Sequence, residues 1–202
     1  MKIGIMGGTF DPIHNGHLML GKTAYEQFGL HEVWFMPNGN PPHKKQTSIE
    51  SNAEHRLKMT SIAIENMAGF KVQDYEAKRE GVSCSWETMK HFKKVYPEDE
   101  FFFIIGADSL FAIETWVHPE RLFPNCVLLA AYRDDIDTEE DMNRQIDYIC
   151  KKYHADIRIL PSPLMNVSSS ELRRRIENGK SITGFVPKKV ENYIIEEGLY
   201  GA

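Results

Sequence analysis

The sequence predicts an α/β protein: a doubly wound parallel sheet with helices on both faces, plus a small helical segment toward the C-terminus. Three observations carry that expectation. Short, wholly apolar runs alternate with longer amphipathic segments along the chain, which is the order of strands and helices in a parallel sheet. Those runs lack the polar alternation of a sheet with one wet face, so they read as strands buried on both sides. The first run also passes through two glycines directly into a helix, the arrangement by which open sheets bind ligands beyond the carboxyl ends of their strands.

The elements follow in order. Lys2–Met6 (KIGIM) is the first strand, and residues 16–28 read as a helix that Asn15 caps and Gly29 ends. Glu32–Pro37 (EVWFMP) is a second buried strand, followed by a loop over Asn38–Ser48 that carries NPPHKK. Ser51, Asn52, Ala53 and Glu54 have capping-box spacing and open a helix to about Met67. Phe70–Tyr75 returns to extended chain, 86–95 is helical, and Phe101–Gly106 and Cys126–Tyr132 are strands. A polar helix near 138–153 precedes a short strand, Ile157–Leu160. The segment Ser168–Asn178 and a helix near 187–197, stopped by Gly198, complete the chain.

Composition bounds what such a fold does. At 202 residues, 42% hydrophobic and 26% charged, residues 1–202 fit a single globular domain with a substantial core. The net charge of −5 argues against a general nucleic-acid binder, so any anion site must be locally basic. Cys84, Cys126 and Cys150 are odd in number and without metal spacing, which points to reduced thiols. With no signal-peptide pattern and no apolar run of membrane length, the expected location is cytoplasmic, with no membrane partner. A homo-oligomer is compatible with these features, which do not set its order.

Residues 7–18, GGTFDPIHNGHL, carry the chemistry. Gly7 and Gly8 allow a sharp turn and close backbone approach to a ligand, and the helix that follows points its leading N–H groups back at the loop. His14 and His17 lie three apart, on one face of the first turn. Two imidazoles beside a helix N-terminus can donate to an anion whose charge grows during reaction. The run is not a dinucleotide fingerprint, which needs G-x-G-x-x-G, nor a Walker loop, which needs G-K-[ST]. Nor does it read as a zinc site, because a third and fourth ligand are missing nearby. Val167–Arg175 (VSSSELRRR) adds a second anion-binding element: Ser168 or Ser169 can cap a helix start, and Arg173 offers a planar fork suited to phosphate oxygens.

Gly8, Phe10, Pro12, His14, Gly16 and His17 fit GxFxPxHxGH, and the chain resembles the nucleotidylyltransferase superfamily that carries HxGH. Within it, Ser168, Ser169, Ser170 and Arg173 resemble the ISSTxIR segment of bacterial nicotinate mononucleotide adenylyltransferases, with Ser170 in place of Thr. The likeness continues through PNGNPPHK (Pro37–Lys44), IIGAD (Ile104–Asp108), Trp116 and FVPKKVENYIIEEGLY. Pantetheine-phosphate and glycerol-phosphate relatives share the HxGH core but are typically shorter and lack this set.

The resemblance implies a Rossmann-like sheet and transfer of the adenylyl group of ATP to nicotinate mononucleotide, giving nicotinate adenine dinucleotide and pyrophosphate in NAD biosynthesis. It implies that Gly8, Thr9, Phe10, His14, His17, Lys44, Gly106, Asp108, Ser168, Ser169 and Arg173 surround ATP, with His14, His17 and Arg173 catalytic. It puts Ser85, Trp116, Lys44 and Arg133 around the acceptor. Mg²⁺ is expected on the ATP phosphates, without a protein cage. The family's GxSYT segment is Gly81-Val82-Ser83-Cys84-Ser85 here, so Cys84 stands for Tyr and Ser85 for Thr. Ser85 keeps the hydroxyl and N–H donors associated with the nicotinate carboxylate. After Arg133 the family's usual Pro-Gly is Asp134-Asp135, which leaves an exposed surface Arg as an equal reading. Two rival functions remain at this level: adenylyl transfer to nicotinamide mononucleotide or phosphopantetheine, and a non-catalytic nucleotide sensor.

Overall fold

Along the run Glu100–Gly106, Phe101, Phe103 and Ile105 are buried in one core while Phe102 and Ile104 are buried in another. Successive side chains of a strand point to opposite faces, so a strand without polar positions is what two-sided burial demands. The computed structural model describes residues 1–39, 49–132, 139–163 and 167–202. Its strands are Lys2–Gly8 (β1), Glu32–Pro37 (β2), Phe70–Val72 (β3), Glu100–Gly106 (β4), Val127–Tyr132 (β5) and Ile157–Pro161 (β6). They form one sheet in the order β3-β2-β1-β4-β5-β6. Every pairing is parallel, and β1 is central, with Ile5 opposite Trp34 on one side and Phe103 on the other.

The helices are Asn15–Gln27 (α1), Ala53–Ile64 (α2), Ser85–Val95 (α3), Ala107–Phe111 (α4), Pro119–Leu122 (α5), Glu139–Tyr153 (α6), Ser169–Glu177 (α7) and Lys188–Glu196 (α8). Phe92 of α3, Leu110 of α4, Leu122 of α5 and Met142 of α6 pack with Ile3, Ile5 and Phe103 on one face of the sheet. Ala24 of α1, Met59 of α2, Leu172 of α7 and Val190 of α8 pack with Met6, Phe35 and Phe102 on the other. The doubly wound, Rossmann-like expectation therefore holds. Among the described residues no helix is long and apolar enough to cross a membrane, and the three cysteines are free thiols.

Local expectations need three corrections. Asn15 is the first helical residue instead of the cap: His14 takes the extended cap conformation, and Asn15 Nδ2 donates to the Gly184 carbonyl at 2.8 Å. Ser51 does not cap α2; Asn52 does, accepting the His55 N–H at 2.9 Å, and α2 stops at Ile64. Both neighbours had a side chain able to cap, and a buried partner claimed the Ser51 hydroxyl instead, as described below. The stretch between β4 and β5 also folds into short helical turns, including Ile113–Thr115 and Phe123–Asn125, whose lengths leave no periodic signal to read.

The strand order positions the site. The chain leaves β1 for α1 on one face and leaves the neighbouring β4 for α4 on the other. The two connections diverge and open a crevice beyond the carboxyl ends of these strands, the topological switch point where open α/β sheets bind ligands.

Candidate active site

Gly8 makes the loop after β1 possible. A Cβ there would stand 2.7 Å from Phe10 Cε1, so only glycine lets the Phe10 ring fold back beneath the loop. Phe10 is buried at a left-handed φ of 52°, an uncommon backbone for a bulky residue. Its ring meets that of His17 edge-on at 4.9 Å, while His14 stacks on His17 at 3.6 Å. Gly16 has a packing reason as well: a Cβ would lie 3.1 Å from the His14 ring and 3.1 Å from Val167. The spacing HNGH thus stacks two imidazoles with no side chain between them.

Electrostatics complete the pair. The His14 backbone N–H donates to His17 Nδ1 at 3.3 Å, so the proton of a neutral His17 ring would sit on Nε2. His14 is buried, and the loss of hydration drives its pKa down to about 4. It is a neutral ring at physiological pH. The fixed positive charge comes from Arg173 on α7. Arg173 Nη1 donates to the Asp11 carbonyl at 2.8 Å and Nε to Glu50 at 2.7 Å, which orients the guanidinium from behind. Ser168 caps α7, accepting the Glu171 N–H at 3.2 Å, and the Ser169 hydroxyl donates to the Pro12 carbonyl at 2.9 Å. Ser169 therefore uses its side chain as a brace between α7 and the loop, leaving backbone N–H groups as its means of meeting an anion.

Two cavities open from this loop. One, of about 530 Å³, is lined by Thr9, Phe10, His14, His17, Gly106, Asp108, Ser168, Ser169 and Arg173. The other, of about 470 Å³, is lined by Gly8, Asn38, Glu76, Ser83, Cys84, Ser85 and Trp116 among others. Thr9, His17, Leu20 and Gly106 line both, so His17 stands at the junction. Gly8, expected around ATP, faces the second chamber. Lys44 and Arg133, with His43 and most of the NPPHKK loop, lie outside the described residues.

The second chamber joins a helix start to an indole. Cys84 is the N-cap of α3 but makes no side-chain capping bond, so the leading N–H groups of α3 remain to serve a ligand. Ser85 opens that helix, and the Ser83 hydroxyl is buried without a hydrogen-bond partner among the described residues. Trp116 presents an indole that packs edge-on against Phe103 at 6.4 Å. Sequence reasoning missed Glu76, a buried carboxyl that accepts the Thr88 hydroxyl at 2.7 Å and whose pKa burial raises. It also missed Arg56, which is 2% exposed and donates to the Thr9 carbonyl at 2.8 Å and Asn38 Oδ1 at 3.4 Å. Neither sits in a local pattern that distinguishes it from a surface charge.

Chemically, the first chamber offers donors: a permanent cation, a capped helix start and two imidazoles, of which His14 is neutral. Its carboxylates are Asp108 and Asp11, and Asp11 is already occupied by protein donors. Such a lining suits a polyphosphate, which can carry its own divalent cation.

Comparison with known proteins agrees with this geometry. A family model described as cytidylyltransferase-like matches residues 5–175. A protein of Lachnoclostridium phytofermentans named "Probable nicotinate-nucleotide adenylyltransferase" is 43% identical over 199 residues, covering 98% of each chain. One of the same name from Clostridium botulinum (strain Eklund 17B) is 41% identical, again over 98% of each chain. The nicotinic acid mononucleotide adenylyltransferase of Plasmodium falciparum complexed with NaAD superposes with a TM-score of 0.81, covering 98% of this chain and 97% of that one. Its 22% identity makes that a likeness of fold.

Proposed function

The chain belongs to the cytidylyltransferase-like family and, within it, to the nicotinate-nucleotide adenylyltransferases, and from that premise we propose how it works. It transfers the adenylyl group of ATP to nicotinate mononucleotide, giving nicotinate adenine dinucleotide and pyrophosphate for NAD biosynthesis. The observation that carries the reading is the pair of chambers joined at His17. ATP lies in the first, with its α-phosphorus at the junction, and the acceptor lies in the second.

An oxygen of the acceptor phosphate attacks the α-phosphorus as the bond from it to the bridging oxygen of pyrophosphate breaks. A phosphate monoester is already anionic, so no protein nucleophile is needed, and catalysis is positioning plus charge stabilisation. His17 donates Nε2–H to the α-phosphate oxygens, and His14 backs it. Arg173 and the N–H groups at the start of α7 hold the outer phosphates, where negative charge accumulates on the leaving group. Thr9 and Phe10 frame the phosphates, and Gly106 and Asp108, at the end of β4, face the adenosine. Mg²⁺, when bound, would neutralise phosphate charge; the donor-rich lining, with Asp108 as its one carboxylate not already taken up by the Asp11 cluster, would leave it to be held mainly by ATP and water.

In the second chamber, the N–H groups at the α3 start and the Ser85 hydroxyl bind the nicotinate carboxylate, and Trp116 stacks on the pyridine ring. An amide in that place would set its NH₂ against donors and leave it unpaired, at about 1–3 kcal/mol. Lys44 and Arg133, outside the described residues, are the further acceptor contacts that the resemblance implies. Free thiols and a soluble nucleotide product fit a cytoplasmic enzyme.

Incubation with ATP and nicotinate mononucleotide tests the reaction type. One pyrophosphate per dinucleotide is expected; ADP or orthophosphate as the leaving product would overturn it. His17→Ala should lower turnover by about 100-fold or more, the scale of losing one donor to a developing anion, while calorimetric ATP binding persists. Unchanged turnover would remove His17 from the mechanism.

A further inference from the structure

Asp11 lies within the phosphate loop, between Phe10 and Pro12, and is 1% exposed. A buried carboxylate is tolerated only when its oxygens are filled by donors. Those of Asp11 are: the Glu50 N–H at 2.8 Å, the Ser51 N–H at 3.3 Å, the Ser51 hydroxyl, and the Tyr200 hydroxyl at 2.7 Å. Arg173 Nη1 stands 4.0 Å from the same carboxylate. The Ser51 and Tyr200 hydroxyls are themselves 3.2 Å apart. Segments far apart in sequence therefore converge on one side chain three residues before His14.

Tyr200 reaches this point at a conformational cost. It belongs to the turn Leu199–Gly201, in which Tyr200 and Gly201 have φ of 60° and 80°, after Gly198 at 61°. Glycine adopts that backbone freely, whereas a tyrosine there is strained. Phe10, beside Asp11, has φ 52°, so the contact joins two strained segments. Strain of this kind persists where the surroundings over-determine a conformation, and it clusters at functional sites. The Tyr200 ring packs against the core beneath α7 and α8, and burial and the Asp11 charge both raise its pKa, so the hydroxyl remains a donor.

We propose that Tyr200 is a positioning residue for adenylyl transfer: its hydroxyl, donated to buried Asp11, fixes the loop from which His14 and His17 meet the α-phosphate. The proposal rests on the catalytic reading given above. Tyr200 touches no substrate. It acts through the loop, and a displacement on the ångström scale at reacting groups is enough to slow chemistry strongly.

Tyr200→Phe in the full chain keeps the ring and removes only the hydroxyl. We expect kcat to fall about 10-fold to 100-fold with KM for nicotinate mononucleotide within about twofold, because the second chamber is untouched. In a His17→Ala background the same substitution should cause a clearly smaller fall, since one of the two histidines on the loop it positions is gone. An unchanged kcat in Tyr200→Phe, or an equal fold-loss in both backgrounds, would overturn the proposal. Should Tyr200→Phe lose its cooperative melting transition, Ser51→Ala removes the other hydroxyl from the same Asp11 oxygen, and it must then show the same kcat-specific loss or the proposal falls. Wild-type turnover in His17→Ala alone would instead sink the catalytic reading, and the positioning role with it.

Discussion

The His14 backbone N–H occupies Nδ1 of His17, and His14 itself is neutral because it is buried. That second fact has a consequence for stability. A histidine whose folded pKa lies below its unfolded value takes up fewer protons in the native state, so its contribution is fully present above the unfolded pKa and is lost as pH falls. With the pKa driven from 6.5 to about 4, unfolding free energy from His14 should decline by roughly 3 kcal/mol between those pH values. Urea titrations of the wild type and His14→Gln across that window provide the measurement. The variant should show a shallower decline; parallel curves would mean that His14 is not kept neutral by the fold. Legibility at this scale depends on distance along the chain. The stacked histidines and their intervening glycine are readable because one helical turn contains them. Asp11 sits in the same motif but gave no sign of its role, because the Ser51 and Tyr200 hydroxyls that define it lie 40 and 189 positions away.

Among the elements, α7 connects most directly to the chemistry. Its N-terminus faces the first chamber, Ser169 braces the Pro12 carbonyl, and Leu172 and Ile176 anchor it to the sheet. Leu172 is 1% exposed, next to Arg173 in sequence and on the opposite, core-facing side. Truncating a fully buried leucine typically costs about 2–5 kcal/mol, so Leu172→Ala should lower the urea midpoint by that equivalent with the slope unchanged. A loss below about 1 kcal/mol would show that α7 is not docked through this residue. The helices and strands were legible where burial imposed a period or an unbroken apolar run, as in β4 and α7. Their ends were less so. Ser51 and Asn52 can both cap a helix, and what chose between them was a tertiary partner, Asp11, which local spacing does not encode. Asn15 was likewise taken from its expected capping role by Gly184.

At the level of the whole molecule, alternating strand and helix signals implied a parallel sheet, but the order β3-β2-β1-β4-β5-β6 depends on which faces the crossovers take. That order sets β1 beside β4 and so creates the crevice, two chambers deep, in which HxGH meets Gly106. No single segment contains it. In the proposed mechanism the chambers divide the labour: the first, with HxGH and α7, takes ATP, and the second, with Ser83–Ser85 and Trp116, takes the acceptor. The second also holds Cys84 and Ser85 at the start of α3, where the resemblance implies Tyr and Thr. The central claim is therefore tested most directly by kcat/KM with ATP and, in parallel, nicotinate or nicotinamide mononucleotide. A carboxylate site formed by the N–H groups at the α3 start and the Ser85 hydroxyl should favour nicotinate mononucleotide by about 10-fold or more, the equivalent of one unpaired amide group. Equal or faster turnover of nicotinamide mononucleotide would contradict it.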